Sequence, residues 1–155
     1  FATGAFLFVT ALLLILAEWY GKRTRTLEQL NWKDALRMGL FQAIAIFPGI
    51  SRSGATMSGG MLGELDRPSA ARFSFMMSIP IMLAAGTVET IDMLHSANFS
   101  NQLLPVAIGF LTAAVVGYFS IRWLLNYLNR HSFYPFAIYC AGLGLLTILV
   151  YVLRG

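Results

Sequence analysis

The sequence predicts an all-α fold, a polytopic membrane protein with about four transmembrane helices and one re-entrant helical hairpin. Three observations carry this prediction. Hydrophobic residues make up 57% of the 155-residue chain and charged residues only 12%, where an ordinary soluble domain is about 25% charged. Mean hydropathy is +0.69, and long apolar runs recur near the ~20 residues a spanning helix needs. After the first of those runs come two arms too short to span, joined by a polar break.

The elements follow in order. Phe1 to Ala17 is almost continuously apolar, and Glu18-Trp19-Tyr20 closes it with rings suited to the membrane interface. Because the sequence opens on Phe1 inside an apolar stretch, the chain is expected to be a fragment or a processed piece. Gly21 to Asp34 is polar and basic. Asn31 with Asp34 predicts a helix starting at Trp32, running to Phe47 and ended by Pro48. Ser53 is the expected cap of a second short helix through Met57, Met61 and Leu62, with Gly54, Gly59, Gly60 and Gly63 permitting close packing. These arms form the predicted hairpin at about 32–64, within a single membrane domain covering 1–155. Asp66 and Pro68 start a span reaching about Leu94, with Pro80 in its middle. A polar loop, His95 to Gln102, leads to spans at roughly Leu103–Leu128 and Phe133–Leu153.

The basic residues test the hairpin. If it re-enters, one side holds Lys22, Arg23, Arg25, Lys33, Arg37, Arg67, Arg72, Arg122 and Arg130 against Arg154 alone, nine to one. If it spans, the split is six to four. The positive-inside rule favours re-entry, with the basic loops cytoplasmic. The net charge of +4 therefore reads as a topology signal, and no nucleic-acid partner is expected. The one cysteine, Cys140, excludes a disulfide within the chain.

Pro48-Gly49-Ile50-Ser51-Arg52-Ser53-Gly54-Ala55-Thr56 is the stretch with chemistry. A cation in apolar surroundings is costly unless something polar or anionic meets it. A helix N-terminus offers unpaired amides and partial positive charge. Arg52 adds a planar fork that fits two phosphate oxygens, Ser51, Ser53 and Thr56 add hydroxyls, and Gly49 and Gly54 let a ligand approach the backbone. Together they form an anion cradle at membrane depth, for a ligand with an anionic head and an apolar tail. The bland alternative is a polar helix break packed between helices. Among functions, three remain open on the chemistry. They are phosphoryl hydrolysis of a lipid diphosphate, the anion- or lipid-binding half of a membrane transporter with broken helices, and an intramembrane serine hydrolase. The last needs a base beside the serine, and His95 and His131 both fall in interfacial loops.

The segment from Gln42 to Gly60, with its Pro-Gly-Ile-Ser-Arg-Ser-Gly core, closely resembles the second motif of the undecaprenyl-diphosphate phosphatases, the bacitracin resistance protein family. Phe73-Ser74-Phe75 with Pro80, and Pro135-Phe136-Ala137-Ile138-Tyr139, resemble the same family, so the likeness covers essentially the whole chain. It implies two inverted repeats, each with a re-entrant hairpin, whose tips meet in a site open to the outer face of a bacterial plasma membrane. It implies removal of the terminal phosphate of undecaprenyl diphosphate, recycling the lipid carrier for cell-wall synthesis, with a divalent cation (magnesium or calcium). Under it, Arg52, Ser51 and Thr56 are the catalytic candidates. Ser53, Gly54, Ala55 and Gly49 are phosphate-binding candidates, with Gln42 and Ser74 in support. Family members are longer at the N-terminus, where a first repeat carries a Glu-x-x-x-Glu pair and a Ser-rich segment ending in Gly-His. Neither occurs here. The chain is therefore expected to be a C-terminal half or a little more, inactive alone, with the cation's ligands and the base in the N-terminal repeat that would be its partner. A second copy of the chain is a further expected partner.

The remaining polar residues read as structural. Glu18 is expected in the headgroup layer, Glu89 and Asp92 at a solvated helix end, and His95 in a loop. Phe73, Phe75, Met76, Met77 and Met82 read as packing or lipid contact.

Overall fold

The computed structural model describes residues 2–95 and 99–154. It is all-α: α1 (Ala2–Tyr20), a 3-10 turn (Leu27–Gln29), α2 (Trp32–Ile44), α3 (Arg52–Leu62), α4 (Arg67–Leu94), α5 (Phe99–Leu128) and α6 (Tyr134–Arg154). Among the described residues, four stretches are long and apolar enough to cross a membrane: Ala2–Tyr20, Arg67–Leu94, Leu103–Leu128 and Tyr134–Leu153.

Local signals set most boundaries. Asn31 caps α2, its Oδ1 accepting the Lys33 and Asp34 amides at 2.9 and 3.1 Å, while Asp34 accepts the Asn31 amide at 3.0 Å. Asp66 caps α4 through the Ser69 amide at 2.8 Å. Three boundaries differ from the sequence expectation. α2 stops at Ile44 rather than Phe47, because residues 45–47 tighten into i→i−3 turns ahead of a proline that disfavours helix at the residue before it. α3 is capped by Ser51 rather than Ser53, for a reason given below. α5 begins at Phe99, so residues 99–102 form its first turn instead of a loop; residues 96–98 of the expected loop lie outside the described set.

α3 is the centre of the bundle, packed on α1, α2 and α4, while α1 also packs on α6 and α4 on α5. Its small face makes this possible. A Cβ at Gly59 would press on the Phe41 ring at 2.9 Å, and one at Gly60 would meet Ala70 and Met38 at 3.0 and 3.1 Å. Close backbone approach between helices in an apolar setting relies on such residues.

At the base of the α2–α3 hairpin, the chain before α2 and the chain after α3 are tied together. The Arg25 amide donates to Glu64 O at 2.9 Å and the Asp66 amide to Arg25 O at 2.8 Å. The Arg25 guanidinium donates to both Asp34 oxygens, at 3.1 and 2.6 Å, and to Gly63 O at 3.0 Å. This pairing holds the Asp34 carboxyl below the usual carboxylate range. With a rise of 1.5 Å per residue, the 13-residue α2 and 11-residue α3 reach only about 20 and 17 Å. Neither crosses a hydrocarbon core of about 30 Å.

Glu18 is engaged inside the protein. Its side chain is buried and accepts from Arg67 Nε and Nη2 at 2.7 Å each, from Arg23 Nη1 at 2.8 Å and from the Phe133 amide at 2.7 Å. One carboxylate thus gathers the end of α1, the start of α4 and the α5–α6 connection at a single end of the bundle. Beyond this core the outer half of α4 and nearly all of α5 are exposed and apolar, with Leu83, Phe110 and Phe119 each more than 60% accessible. Such a surface needs lipid or protein against it.

Candidate functional site

The tip between α2 and α3 is shaped by α1. Gly49 has φ +108, a left-handed conformation that favours glycine, and a Cβ there would run into the Thr3 carbonyl oxygen. Phe47 stacks on Phe6 with ring centroids 5.2 Å apart. Thr10 is fully buried. Its Oγ1 accepts the Ser51 amide at 2.9 Å and lies 3.4 Å from both Gly49 O and Phe6 O.

Held in this way, Ser51 becomes the cap. Its backbone is extended (φ −68, ψ 117) and its Oγ accepts the Gly54 amide at 3.1 Å. Its carbonyl accepts the Ala55 amide at 2.8 Å. The Gly54 and Ala55 amides are thereby engaged inside the protein. Among the described residues, the amides of Arg52 and Ser53 have no acceptor, and these are the open donors at the helix N-terminus. The Ser53 hydroxyl lies 3.4 Å from that of Ser51, and Ser53 is exposed.

Arg52 is exposed on the same turn. Among the described residues its guanidinium has neither an ion pair nor a hydrogen-bond partner, whereas Arg23, Arg25, Arg37 and Arg67 all pair with Glu18 or Asp34. It faces a cavity of about 260 Å³ lined by Gln42, Arg52, Ser53, Thr56, Ser74, Phe75, Ser78 and Met82. An adjoining recess of about 340 Å³ extends along α2 past Ala43 and Ile46. α2, α3 and α4 bring an amide, a guanidinium and four hydroxyls to the lining of the first cavity. The hydroxyl of Thr56 is committed locally, donating to Arg52 O at 2.6 Å with Gln42 Oε1 at 3.5 Å. Ser78 donates to Phe75 O at 2.7 Å.

Ser53 also lines a second cavity, of about 220 Å³. Thr10, Ser51, Ser53 and Gly54 form its polar end, while Leu14, Met57, Leu124, Phe133, Phe136 and Tyr139 make the rest apolar.

The sequence-predicted residues therefore divide. Arg52, Ser53, Thr56, Gln42 and Ser74 meet at one cavity. Ser51 and Gly54 face the other, and Gly49 and Ala55 act through packing and backbone. Two residues escaped sequence reading. Ser78 sits one helical turn beyond Ser74 on the same face of α4, a spacing that could have flagged it. Thr10 showed only as a lone hydroxyl in an apolar run.

A divalent cation does not fit the residues at hand. Neither cavity is lined by a carboxylate or histidine. Among the described residues no group of three or more His, Cys, Asp or Glu could hold a metal. Magnesium and calcium take oxygen ligands, usually including carboxylate, and neither cavity supplies one.

The family described as bacitracin resistance protein BacA matches residues 1–146. The chain is 46% identical over 147 residues to undecaprenyl-diphosphatase 1 of Corynebacterium jeikeium (strain K411), covering 94% of this chain and 52% of that protein. It is 45% identical over 148 residues to the undecaprenyl-diphosphatase of Chlorobium phaeobacteroides (strain BS1), covering 89% and 52%. Against the undecaprenyl-diphosphatase of Synechococcus sp. (strain WH7803), identity is 43% over 138 residues, covering 89% and 48%. The chain spans about half the length of the curated relatives it matches. It belongs to the bacitracin resistance protein BacA family.

Proposed function

We propose that this chain supplies the phosphate-holding half of an undecaprenyl-diphosphate phosphatase. The reaction takes undecaprenyl diphosphate and water to undecaprenyl phosphate and phosphate, which recycles the lipid carrier for cell-wall synthesis and gives resistance to bacitracin. The observation that carries the reading is Arg52, a guanidinium without a carboxylate partner among the described residues, on the same first turn of α3 as the open amides of Arg52 and Ser53, at the tip of a short-armed hairpin. Arg52 grips two oxygens of the terminal phosphoryl group through its fork. The two amides and the Ser53 hydroxyl take further oxygens. Ser51 and Thr56 hold the turn and its carbonyls in place around them. As charge spreads over the transferred group, these fixed donors stabilise it in a site with little water.

The hairpin enters the bilayer and leaves on the same side. Support comes from its closed base, its short arms and the nine-to-one basic split. The basic end is then cytoplasmic and the tip opens toward the outer face of a bacterial plasma membrane. The base and the divalent cation's ligands are assigned to a first, inverted repeat outside these 155 residues, because neither cavity is lined by a carboxylate or histidine; the nucleophile is a serine or histidine of that repeat or an activated water.

The test is phosphate release from undecaprenyl diphosphate by the full-length protein. Arg52→Lys keeps the charge and loses the fork, and is expected to lower kcat by roughly a hundredfold or more, equivalent to about 3 kcal/mol of barrier. Near-normal turnover by Arg52→Lys or Arg52→Ala would remove Arg52 from the mechanism.

A further inference from the structure

The end of the bundle organised by Glu18 carries a second cationic feature, remote from the hairpin tip. Arg72 of α4 and Arg122 of α5 line one open cavity of about 300 Å³, together with Tyr118, Ile121, Leu125 and Asn126. Both arginines are exposed. Among the described residues neither forms an ion pair, and the recorded polar contact of Arg122 is to the Tyr118 hydroxyl at 3.5 Å.

Depth gives this pair its meaning. α4 has 28 residues and is about 42 Å long, matching the ~40–45 Å of a bilayer with its headgroup layers. Arg72 lies five residues inside the start of α4, about 8 Å from its end, and Arg122 six residues before Leu128, about 9 Å from the end of α5. That is the level where headgroups give way to hydrocarbon. Two neighbouring guanidiniums there repel each other and are costly to desolvate unless an anion meets them. No carboxylate of the described residues does so. A bilayer offers phosphodiester at that depth. Tyr118 in the lining and Trp123, next to Arg122 in the chain, are each about 60% exposed, as aromatic residues at an interface are.

We propose that the Arg72–Arg122 groove between α4 and α5 binds the phosphodiester headgroup of an anionic phospholipid. The two guanidiniums take the phosphate oxygens, Tyr118 and Asn126 hydrogen-bond the glycerol portion, and Ile121 and Leu125 receive the first methylenes of an acyl chain. Basic pockets between spans on the side facing an anionic leaflet recognise lipids by this chemistry. The site rests on the cytoplasmic placement of the basic end proposed above and not on the phosphatase chemistry, since it shares no residue with either tip cavity.

The experiment uses full-length protein extracted from nanodiscs of phosphatidylcholine mixed with phosphatidylglycerol, and counts retained lipids by native mass spectrometry. Retention of phosphatidylglycerol is expected to exceed that of phosphatidylcholine by on the order of tenfold. The double variant Arg72→Gln, Arg122→Gln should fall to the phosphatidylcholine level, while Arg130→Gln, a cation outside the groove, should change nothing. If the double variant does not fold, Arg122→Gln alone carries the same expectation. Equal retention of the two lipids by the wild type would overturn the site, as would an equal loss in Arg130→Gln. Displacement of the bound lipid by soluble glycerol phosphate or inorganic phosphate would show a free-anion site and overturn the lipid assignment.

Discussion

Thr10→Val tests how the tip is built. The substitution is close in shape but removes the hydroxyl, so packing in α1 changes little. Its effect falls on the Ser51 amide, whose acceptor is Thr10 Oγ1 at 2.9 Å. A threonine hydroxyl has one proton, and its two candidate acceptors both lie at 3.4 Å, so little is lost on that side. Leaving a buried donor unsatisfied costs about 1–3 kcal/mol, and each 1.4 kcal/mol is a factor of about ten in an opening equilibrium. Hydrogen exchange in full-length protein, followed by mass spectrometry on the peptide containing Ser51, should lose protection by about tenfold or more. Thr10→Ser keeps the hydroxyl and should restore most of it. Because the variant lowers the population of the organised tip rather than removing a group that touches substrate, phosphate release should show a raised KM with kcat less affected. Wild-type exchange at Ser51 in Thr10→Val, or equal damage from Thr10→Ser, would refute the latch. A kcat loss without a KM change would instead place Thr10 in the chemistry.

Gly49→Ala meets both a left-handed φ and the Thr3 carbonyl, and is expected to destabilise the tip by about 1–3 kcal/mol, read as a lowered melting temperature and loss of phosphate release. The Asp34 pairing contributes stability above the ordinary carboxylate range and loses it as pH falls through the depressed folded value. Wild-type melting should therefore drop on acidification, and Asp34→Asn should flatten that dependence; identical profiles would remove the pair from the stability of the hairpin base. Cysteines at Lys22 and Arg130 should react with a membrane-impermeant thiol reagent only from the cytoplasmic side, and one at Ile46, 82% exposed near the tip, only from the outer side. Reaction of all three from one side would refute the placement of the hairpin. Purified alone with magnesium or calcium, the 155-residue chain is expected to bind pyrophosphate through Arg52 without hydrolysing undecaprenyl diphosphate. Phosphate release abolished by Arg52→Ala would show that no second repeat is needed.

The sequence by itself determined the class, the four long apolar stretches, the short arms and the position of the break. These depend on composition and on contacts within three or four residues: the Asn31–Asp34 capping box, the Asp66 cap and the restriction imposed by Pro48. It also singled out Arg52, because a cation in apolar surroundings is conspicuous without a structure. Tertiary structure decided what those residues do. Ser51 rather than Ser53 caps α3 because its amide is held by Thr10, 41 residues away in another helix, and that choice engages the Gly54 and Ala55 amides and leaves those of Arg52 and Ser53 open. Glu18 is a buried hub because Arg67 and the Phe133 amide, 49 and 115 residues distant, converge on it. Gln42, Thr56, Ser74 and Ser78 line one cavity with Arg52 only because glycines on α3 bring α2 and α4 close. Contacts between helices carry no fixed spacing along the chain, so only the packed bundle reveals which donors are engaged and which stay free for an anion.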